Sequence, residues 1–423
     1  MRGGYGARSG RKQGPPLRDA TALLPGLVSC FAFVGLLLLP GAADASGLLA
    51  PAAGSADNAI AGANIAEPLS PVGAMFSNPA GLAGFTDREM GTGLGLAYGK
   101  GEVTADSPAG YHADNEVLVP FLNTFMLVPY GRWDFGISTI GTSGARFDHG
   151  PRPSLGVDDG FFSESGILGL PIGAAYRVTD SLWIGGEIIL LYGSTHLRYS
   201  TEVAEFPGSP TPFRFTVEGF GVQAMLGVTW KPEPFWALGL SVRPPGRIWT
   251  NGDMHLGNGK QTVDLEIEAP TEVAFGITRE IATRWEVSYG LRFTDTSVLA
   301  KSYLHFEETP SANMAYLPGA RDEWRHGLGL QYGWSESVTL LGGVAKANGI
   351  INSRGTNPAS YDSKDWRLNA GLRWRGEIWA VDGGFSYIFA DSRHVSADDA
   401  LVFPGKYDSK PAYLLSVMVT KKF

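Results

Sequence analysis

Cysteine is almost absent from this sequence, because Cys30 is the only one among 423 residues. It falls within residues 1–45, which have the order of a secretory signal: a basic start, a long apolar stretch and the tripeptide Ala43-Asp44-Ala45. We predict cleavage after Ala45. The exported chain would then have no thiol, which excludes disulfides, cysteine metal sites and thiol catalysis.

Two other interpretations of this N-terminus remain open. The apolar run is long enough to be considered as a transmembrane anchor. The stretch Leu27-Val28-Ser29-Cys30 also fits the signal of a lipoprotein, although the apolar run continues beyond Cys30 to Pro40, where a lipoprotein would turn polar. We favour the cleaved signal.

An excess of basic residues is also missing. The formal net charge is −8, and it becomes −11 once residues 1–45, with five of the 34 Lys and Arg and two of the 42 Asp and Glu, are removed. An acidic chain without a basic patch is not expected to bind nucleic acid. The mean hydropathy of −0.02 excludes a polytopic helical membrane protein, and 11% aromatic residues exclude a disordered chain.

Catalytic motifs are lacking as well, since there is no G-x-S-x-G elbow, no H-E-x-x-H and no P-loop. A barrel protease or lipase assembled from distant loops, for example around Asp148-His149, is the remaining enzymatic alternative. The acidic pairs Asp158-Asp159 and Asp398-Asp399 are better explained as solvated loop residues than as cation ligands. We therefore expect neither an enzyme nor a cofactor nor a metal.

What the exported chain does contain is a long series of segments with period-two alternation. Residues 285–294 put five apolar side chains on one face, Trp285, Val287, Tyr289, Leu291 and Phe293. About fourteen such segments occur, near 91–100, 118–130, 132–141, 169–178, 182–198, 219–231, 235–250, 261–279, 284–294, 324–334, 337–346, 366–375, 377–390 and 412–423. Most are about 9–12 residues long, as a tilted strand needs to cross a bilayer, and short connections alternate with long ones. The pattern predicts an all-β fold, a transmembrane antiparallel β-barrel of about fourteen strands.

Aromatic residues favour a membrane barrel over a large soluble β protein. They stand at the ends of the apolar faces, as in interfacial girdles, in the pairs Trp285 with Phe293, Trp366 with Trp374, and Trp379 with Phe389. The chain ends in a strand whose last residue is Phe423, which resembles the terminal signal read by the outer-membrane assembly machinery. Lys421 departs from that signal, but a lysine at the rim reaches the headgroups. We predict the outer membrane of a Gram-negative-type bacterium, with its lipids as neighbours.

Glycine is the most overrepresented residue, with 57 of 423, about twice the usual share of roughly 7%. We expect Gly290, Gly327, Gly329 and Gly371 to face the barrel interior and to leave room for a plug. Residues 46–86 are rich in small residues and poorly amphipathic, and lipid does not tolerate irregular backbone, so we assign them as that plug. The alternative is a periplasmic tail. The predicted organisation is a signal (1–45), a plug (46–86) and a barrel (87–423).

Several motifs resemble the FadL-type family of outer-membrane transporters for long-chain fatty acids and other hydrophobic compounds, which includes the TodX-like aromatic hydrocarbon transporters. The hatch motif of that family is similar to Asn78-Pro79-Ala80-Gly81-Leu82, which follows Ala59-Ile60-Ala61-Gly62-Ala63. The resemblance continues through residues 269–277, 294–297, 321–329 and 341–345. Together these matches cover nearly the whole exported chain.

The resemblance implies a fourteen-stranded barrel with an N-terminal hatch, in which Asn78, Pro79, Ala80 and Gly81 take part in gating. Ligand would diffuse passively to an interior pocket and leave sideways beside a kinked third strand. Here that exit would fall at Gly141 to Gly144, unless this stretch is an ordinary turn after the strand. Candidate polar contacts to the ligand are Thr139, His196, Arg198, Tyr199, Tyr316 and Arg321.

The resemblance leaves the ligand open between a fatty acid, a neutral hydrocarbon and another lipid. A general porin for small polar solutes is the main alternative function.

Overall fold

The structure is a computed structural model that describes residues 52–106, 112–148, 162–202, 210–306, 314–315, 317, 319–356, 364–397 and 404–423. The predicted signal lies outside this part of the chain. So do several residues named above: His149, Asp158, Asp159, Tyr316, Asp398 and Asp399.

Twenty strands form one sheet in the described part of the chain, and all their pairings are antiparallel. They are β1 (Glu89–Ala105), β2 (His112–Tyr130), β3 (Trp133–Asp148), β4 (Phe162–Arg177), β5 (Leu182–Glu202), β6 (Pro210–Trp230), β7 (Trp236–Arg243), β8 (Gly246–Leu256), β9 (Gly259–Ala269), β10 (Glu272–Ala282), β11 (Trp285–Thr294), β12 (Tyr303–Phe306), β13 (Met314–Ala315), β14 (Glu323–Gly333), β15 (Val338–Ala347), β16 (Asp365–Arg375), β17 (Trp379–Ala390), β18 (Arg393–Val395), β19 (Gly405–Ser409) and β20 (Ala412–Lys422).

These strands make a closed barrel of fourteen wall strands. The last strand β20 pairs with β1, from Tyr98↔Tyr413 to Glu89↔Lys422, and this closes the ring. Strands β7 and β8 are halves of one wall strand interrupted after Arg243, where two prolines lack the N–H that a ladder needs. Strands β9 and β10 are halves of another, while β12, β13, β18 and β19 extend the ends of neighbouring wall strands. The predicted fold class and strand number are confirmed.

The strands are longer than predicted. Strands β5 and β6 have 21 residues each, and β3 continues to Asp148 instead of ending at Gly141. One rim carries the short turns and the C-terminus, where the Phe423 N–H donates to the Arg88 carbonyl at 2.9 Å. The opposite rim carries the long connections and is the extracellular rim in barrels of this kind. The additional length of the strands lies toward this rim.

The predicted apolar faces point outward. Outward-facing rings pair across strands at both rims, with centroids 4.4 Å apart for the exposed Trp285 and the half-buried Tyr332, and 4.8 Å apart for the half-buried Phe293 and the exposed Trp324. The Nζ of Lys421 lies 4.6 Å from the ring centroid of Phe423, as expected for a lysine at the rim. The exterior is therefore an apolar band bordered by aromatic girdles.

Short helices precede the first strand. They are α1 (Ser55–Ala59), α2 (Pro71–Ser77) and a 3₁₀ helix (Pro79–Gly84). Ser70 caps α2, because its Oγ accepts a hydrogen bond from the Gly73 N–H at 3.0 Å. Two further 3₁₀ helices, Thr296–Lys301 and Ser353–Gly355, lie in connections. Among the described residues, no helix is both long and apolar enough to cross a membrane.

Residues 52–86, named here the inner segment, touch strands on all sides of the ring. Helix α1 contacts β15, β16, β17 and β20, α2 contacts β2 and β3, and the 3₁₀ helix contacts β3, β4, β5 and β6. Nearly all residues from 52 to 83 are buried. Their local amphipathicity is low because they are surrounded by the barrel rather than packed against it with one face.

Candidate functional site

Glycines on the inner wall allow the inner segment to approach the strands closely. A Cβ atom at Gly185 would lie 2.4 Å from the Ala80 nitrogen, and one at Gly227 would lie 2.0 Å from Oδ1 of Asn78. The four glycines predicted to face the interior, Gly290, Gly327, Gly329 and Gly371, all contact residues 59–65. This confirms their placement, and it explains the high glycine content of the wall.

Asn78 joins the inner segment to the wall. Its Nδ2 donates to the carbonyl oxygen of Ile65 at 2.9 Å, to that of Val228 at 3.1 Å and to Oγ1 of Thr229 at 3.1 Å. Its Oδ1 accepts from the Ala80 N–H at 3.1 Å and so caps the 3₁₀ helix. One side chain thus fixes a turn of the inner segment against β6.

The other three motif residues shape the same turn. Pro79 occupies the first position of the 3₁₀ helix, where its missing N–H costs nothing. Gly81 leaves no room for a side chain, because a Cβ there would lie 2.5 Å from Cγ of Pro68. The motif is therefore a compact corner that fits against β5 and β6.

Asp57 is the centre of a second cluster within the inner segment. Its fully buried carboxylate accepts hydrogen bonds from the Leu69 N–H at 2.8 Å, from Nδ2 of Asn64 at 2.5 Å and from Oγ of Ser70. Burial raises the pKa of Asp57 to about 7, against the opposing effects of these hydrogen bonds and of Arg373. The carboxylate holds the start of α1 to the start of α2.

Cationic side chains of the wall hold the carbonyl groups of the inner segment. Arg243 Nη2 donates to the Phe76 carbonyl at 2.8 Å, and Arg373 Nη2 donates to the Leu69 carbonyl at 2.7 Å. Arg177 Nη2 donates to the Phe85 carbonyl at 3.1 Å. Carbonyl groups that would be orphaned in a short irregular segment are satisfied in this way.

A cavity of about 50 Å³ lies where the inner segment meets the wall below the long loops. Apolar and charged groups share its lining, which consists of Phe76, Thr142, Ser143, Ile167, Leu191, Gln223, Arg243, Ala269, Pro270, Glu272, Arg292, Thr294 and Glu323.

The Phe76 ring is the part of the inner segment that lies in this lining. The guanidinium carbons of Arg243 and Arg292 are 5.6 Å and 5.2 Å from its centroid, and Glu272 is 3.7 Å from Arg243 and 3.6 Å from Arg292. Two arginines and two carboxylates thus line the cavity; Glu272 lies between the arginines, while Glu323 pairs with Arg325 at 2.8 Å. This arrangement is suited to recognise an anion that competes with Glu272.

The wall beside this cavity is incompletely paired. Strands β2 and β3 pair only from Thr124↔Thr139 to Tyr130↔Trp133. Within their described parts, residues 112–123 of β2 and 140–148 of β3 form no ladder with each other. At the extracellular end a single bridge remains, where the Asp148 N–H donates to Oδ1 of Asn115 at 2.7 Å.

Strand β3 is also irregular on its other side. Its pairing with β4 shifts register between Gly141 and Ser143, so that Thr142 is an extra residue, and its Oγ1 donates to the Ile167 carbonyl at 3.0 Å. Gly141 and Gly144 therefore belong to a bulged strand and not to a turn at its end. The bulge adjoins the cavity, since Thr142 and Ser143 line it.

A second cavity, of about 260 Å³, lies at the wall next to the last β2–β3 pair. Its lining combines outward-facing residues with three that face inward, Gly91, Phe125 and Ser138. Lys421 and Trp379 border it at the periplasmic rim, and most of the surface is apolar. The first cavity thus borders the unpaired part of β3, and the second lies beside the paired residues where the β2–β3 ladder ends.

The structure does not bring the proposed ligand contacts together. Thr139 lies on the last β2–β3 pair, where its Oγ1 accepts from the Thr124 N–H at 3.0 Å. His196 and Arg198 alternate with buried neighbours and lie on the outer face of β5. Arg321 holds a loop, donating to the carbonyls of Gly349 at 3.1 Å and Asn348 at 2.7 Å. Nothing is described for the side chain of Tyr199.

Arg243, Glu272 and Arg292 were missed by the sequence reasoning. A signal for them existed, because Arg292 stands on the polar face of the alternating segment 285–294 and Arg243 alternates with the outward Val242. A charged residue on the inner face of a transmembrane strand lines the lumen and is a candidate contact.

The fold and the site define the class of protein: an outer-membrane β-barrel with a buried N-terminal segment and an incompletely paired stretch in its wall. Residues 36–423 match the family model of the outer membrane protein transport proteins (OMPP1/FadL/TodX), and the chain belongs to this family. The family consists of transport proteins.

Solved structures agree in fold. A Pseudomonas aeruginosa FadL homologue superposes with a TM-score of 0.77 at 17% identity, over 89% of this chain and 100% of the other. The Ralstonia pickettii toluene transporter TbuX gives 0.69 at 19%, and the P. putida toluene transporter TodX gives 0.70 at 17%, each over 88% of this chain and 99% of the other. No curated protein matches the sequence.

Proposed function

We propose that this protein takes up long-chain fatty acids or other hydrophobic compounds by passive diffusion, with the inner segment as a hatch and a lateral exit between β2 and β3. The observation that carries the proposal is the unpaired stretch above Thr124 and Thr139, with one cavity beside the unpaired part of β3 and a second beside the last paired residues. Family membership supports transport of this kind. The hatch corresponds to residues 46–86 and the barrel to 87–423.

A sideways exit suits an apolar ligand. Each buried CH₂ is worth about 0.8 kcal/mol, so release into water at the periplasmic rim would be strongly opposed for a long chain. The cavity at the outer wall is largely apolar and opens beside Phe125 and Leu170. A ligand that passes between β2 and β3 would stay in apolar surroundings until it enters the lipid.

The lumen must change before a ligand fits. A cavity of about 50 Å³ holds only a few waters, since one water needs roughly 10–15 Å³ of such space. Phe76 is the lining residue contributed by the inner segment, and Arg243 binds both its carbonyl and Glu272. Movement of α2 away from β2 and β3 would enlarge the cavity toward the opening. Ligand binding would favour this minor state.

The lining favours a ligand with an acidic end. Arg243 and Arg292 share Glu272, whereas Glu323, the other carboxylate of the lining, pairs with Arg325, so a ligand carboxylate could replace Glu272 as their partner. A neutral hydrocarbon would have to leave this ion pair intact and use the apolar part of the lining. The two toluene transporters of similar fold are named for such a hydrocarbon.

Replacing Asn78 by Ala tests the hatch. It removes the two N–H donors of Nδ2, which share three acceptors, and the Oδ1 that accepts from the Ala80 N–H; at about 1 kcal/mol for each of these three groups, the inner segment should lose about 3 kcal/mol of stability. We expect impaired uptake of radiolabelled oleate and a raised conductance in planar bilayers, with normal assembly. Ser241→Ala is the matched control, because it removes a single bond, to the Ser77 carbonyl at 2.7 Å. Unchanged uptake and conductance in Asn78→Ala would contradict the hatch assignment.

The permeability of the barrel to sugars distinguishes the proposed function from that of a general porin. Liposomes containing the intact barrel should not swell in sugars at porin rates, because the inner segment fills the lumen. Parallel binding assays with oleate and toluene distinguish the two ligand chemistries, and Arg292→Gln should weaken oleate binding only. Rapid sugar passage without binding of either probe would favour the porin.

A further inference from the structure

Two lysines on the outer surface lie close to exposed tryptophan and leucine residues. Lys346 is exposed on the lipid side of β15, and the exposed Lys364 lies two residues before Trp366 of β16. Within the described residues, neither forms a salt bridge. The Lys364 carbonyl accepts a hydrogen bond from the Asp391 N–H at 3.1 Å, and the carboxylate of the following residue, Asp365, is buried and pairs with Arg367.

Three other outward cations of the extracellular half lie beside carboxylates. Lys100 is 3.0 Å from Glu116, Arg247 is 3.0 Å from Glu266, and Lys260 is 2.9 Å from Asp253. These pairs lie on strands β1, β2, β8 and β9. Lys346 and Lys364 differ from these three cations in having no carboxylate within salt-bridge distance among the described residues.

The surroundings of these lysines suit a lipid headgroup. Lys346 pairs in register with His326 on one side and Trp366 on the other, and its Nζ lies 4.7 Å from the Trp366 ring centroid. The Tyr289 hydroxyl lies 2.8 Å from Nδ1 of His326, which fixes the imidazole beside the lysine. Below this level the same surface is a strip of exposed leucines, Leu328, Leu330, Leu340, Leu368 and Leu372.

We propose that Lys346, Lys364 and His326 form a binding site for the phosphate groups of a phosphorylated glycolipid of the outer leaflet, whose acyl chains lie on the leucine strip below. The phosphate supplies the negative charge that no described carboxylate brings within salt-bridge distance of these lysines. Trp324 and Trp366 flank the site at the level where aromatic girdles meet headgroups. The site is independent of ligand transport through the lumen.

Binding of purified lipid A to the detergent-solubilised barrel, followed by native mass spectrometry, tests the proposal. At about 1 kcal/mol for each surface cation, Lys346→Gln should weaken binding about five-fold and the double variant with Lys364→Gln more than ten-fold. Lys346→Arg should retain binding. Lys100→Gln is the matched control, because its charge is already paired.

A second arm uses the same lipid A with both phosphates removed. It should bind the unaltered barrel as weakly as the double variant binds the phosphorylated lipid. Equal affinity for the two lipids, or an equal loss in Lys100→Gln, would overturn the proposal. Because these side chains face outward, the variants should fold normally, which the heat-modifiable migration of the barrel verifies.

Discussion

A seam is named here as the line along which two neighbouring wall strands pair. The long seam between β5 and β6 and the short seam between β2 and β3 differ sharply in pairing. Strands β5 and β6 pair through 21 residues, from Leu182↔Trp230 to Glu202↔Pro210, whereas β2 and β3 pair through only seven. Strand length does not explain this, since β2 has 19 residues and β3 has 16. Unpaired backbone is expensive in lipid and is tolerated only where it lines a cavity or is covered by protein. The short seam therefore marks the place where the wall faces something other than plain lipid.

The inner segment makes different contacts with the two seams. Its 3₁₀ helix lies on the long seam, where Gly185 and Gly227 bring the strands against Ala80 and Asn78. Phe76 of α2 lies toward the short seam and packs with Phe125 and Ile140 in one apolar cluster. Backbone contact fixes the first end, and side chains alone cover the second. A hatch that opens should therefore move first at α2.

Straightening the short seam should have the largest effect. Deletion of Thr142 removes the extra residue of the bulge, and the unpaired part of β3 can then form a ladder with β2. Closing the exit adds a barrier of about 1.4 kcal/mol or more, so oleate uptake by whole cells should fall about ten-fold or more. The amount of folded barrel at the cell surface is measured alongside.

The control is Thr142→Ala, which keeps the bulge and removes only the hydrogen bond to Ile167. Its uptake should remain within about two-fold of the unaltered protein, because one such bond contributes about 1 kcal/mol or less. If the deletion assembles normally and still transports oleate, the ligand does not leave between β2 and β3.

Disturbing the long seam should have an intermediate effect. In Gly227→Ala the new methyl group would overlap Oδ1 of Asn78, which displaces the 3₁₀ helix and costs about 1–3 kcal/mol. We expect a raised bilayer conductance and a lower temperature for release of the inner segment, measured by limited proteolysis. Gly383→Ala is the control, since no atom lies within 4 Å of a Cβ at that position. Equal behaviour of the two variants would show that close backbone contact does not hold the hatch.

The difference between the seams was only partly predictable. Alternation of apolar and small residues indicated the fourteen strands, the outward face of segment 285–294 and the interior glycines, because these are local consequences of the pleat. The break in β3 was suggested by Gly141 and Gly144, but the unpaired stretch depends on register between strands, which no local pattern encodes. Arg243 and Arg292 come close to Phe76 only when the barrel has closed. His196 and Arg198 were predicted as ligand contacts, but the alternation of inward and outward residues along β5 places them on the outer face.

The boundary between paired and unpaired wall is the Thr124–Thr139 rung, and loosening it should give the smallest effect. Thr139→Val keeps the shape of the side chain but removes the hydroxyl that accepts from the Thr124 N–H and contacts its Oγ1, both at 3.0 Å. A loss of about 1 kcal/mol predicts about five-fold faster amide hydrogen exchange at Thr124. Thr278→Val is the control. It removes a similar contact, to Ser288 between the paired strands β10 and β11, and should leave hydrogen exchange at the Thr124 amide unchanged. If Thr124 exchanges at the same rate in both variants, side-chain bonds do not set the edge of the opening, and the bulge at Thr142 alone would determine where pairing stops.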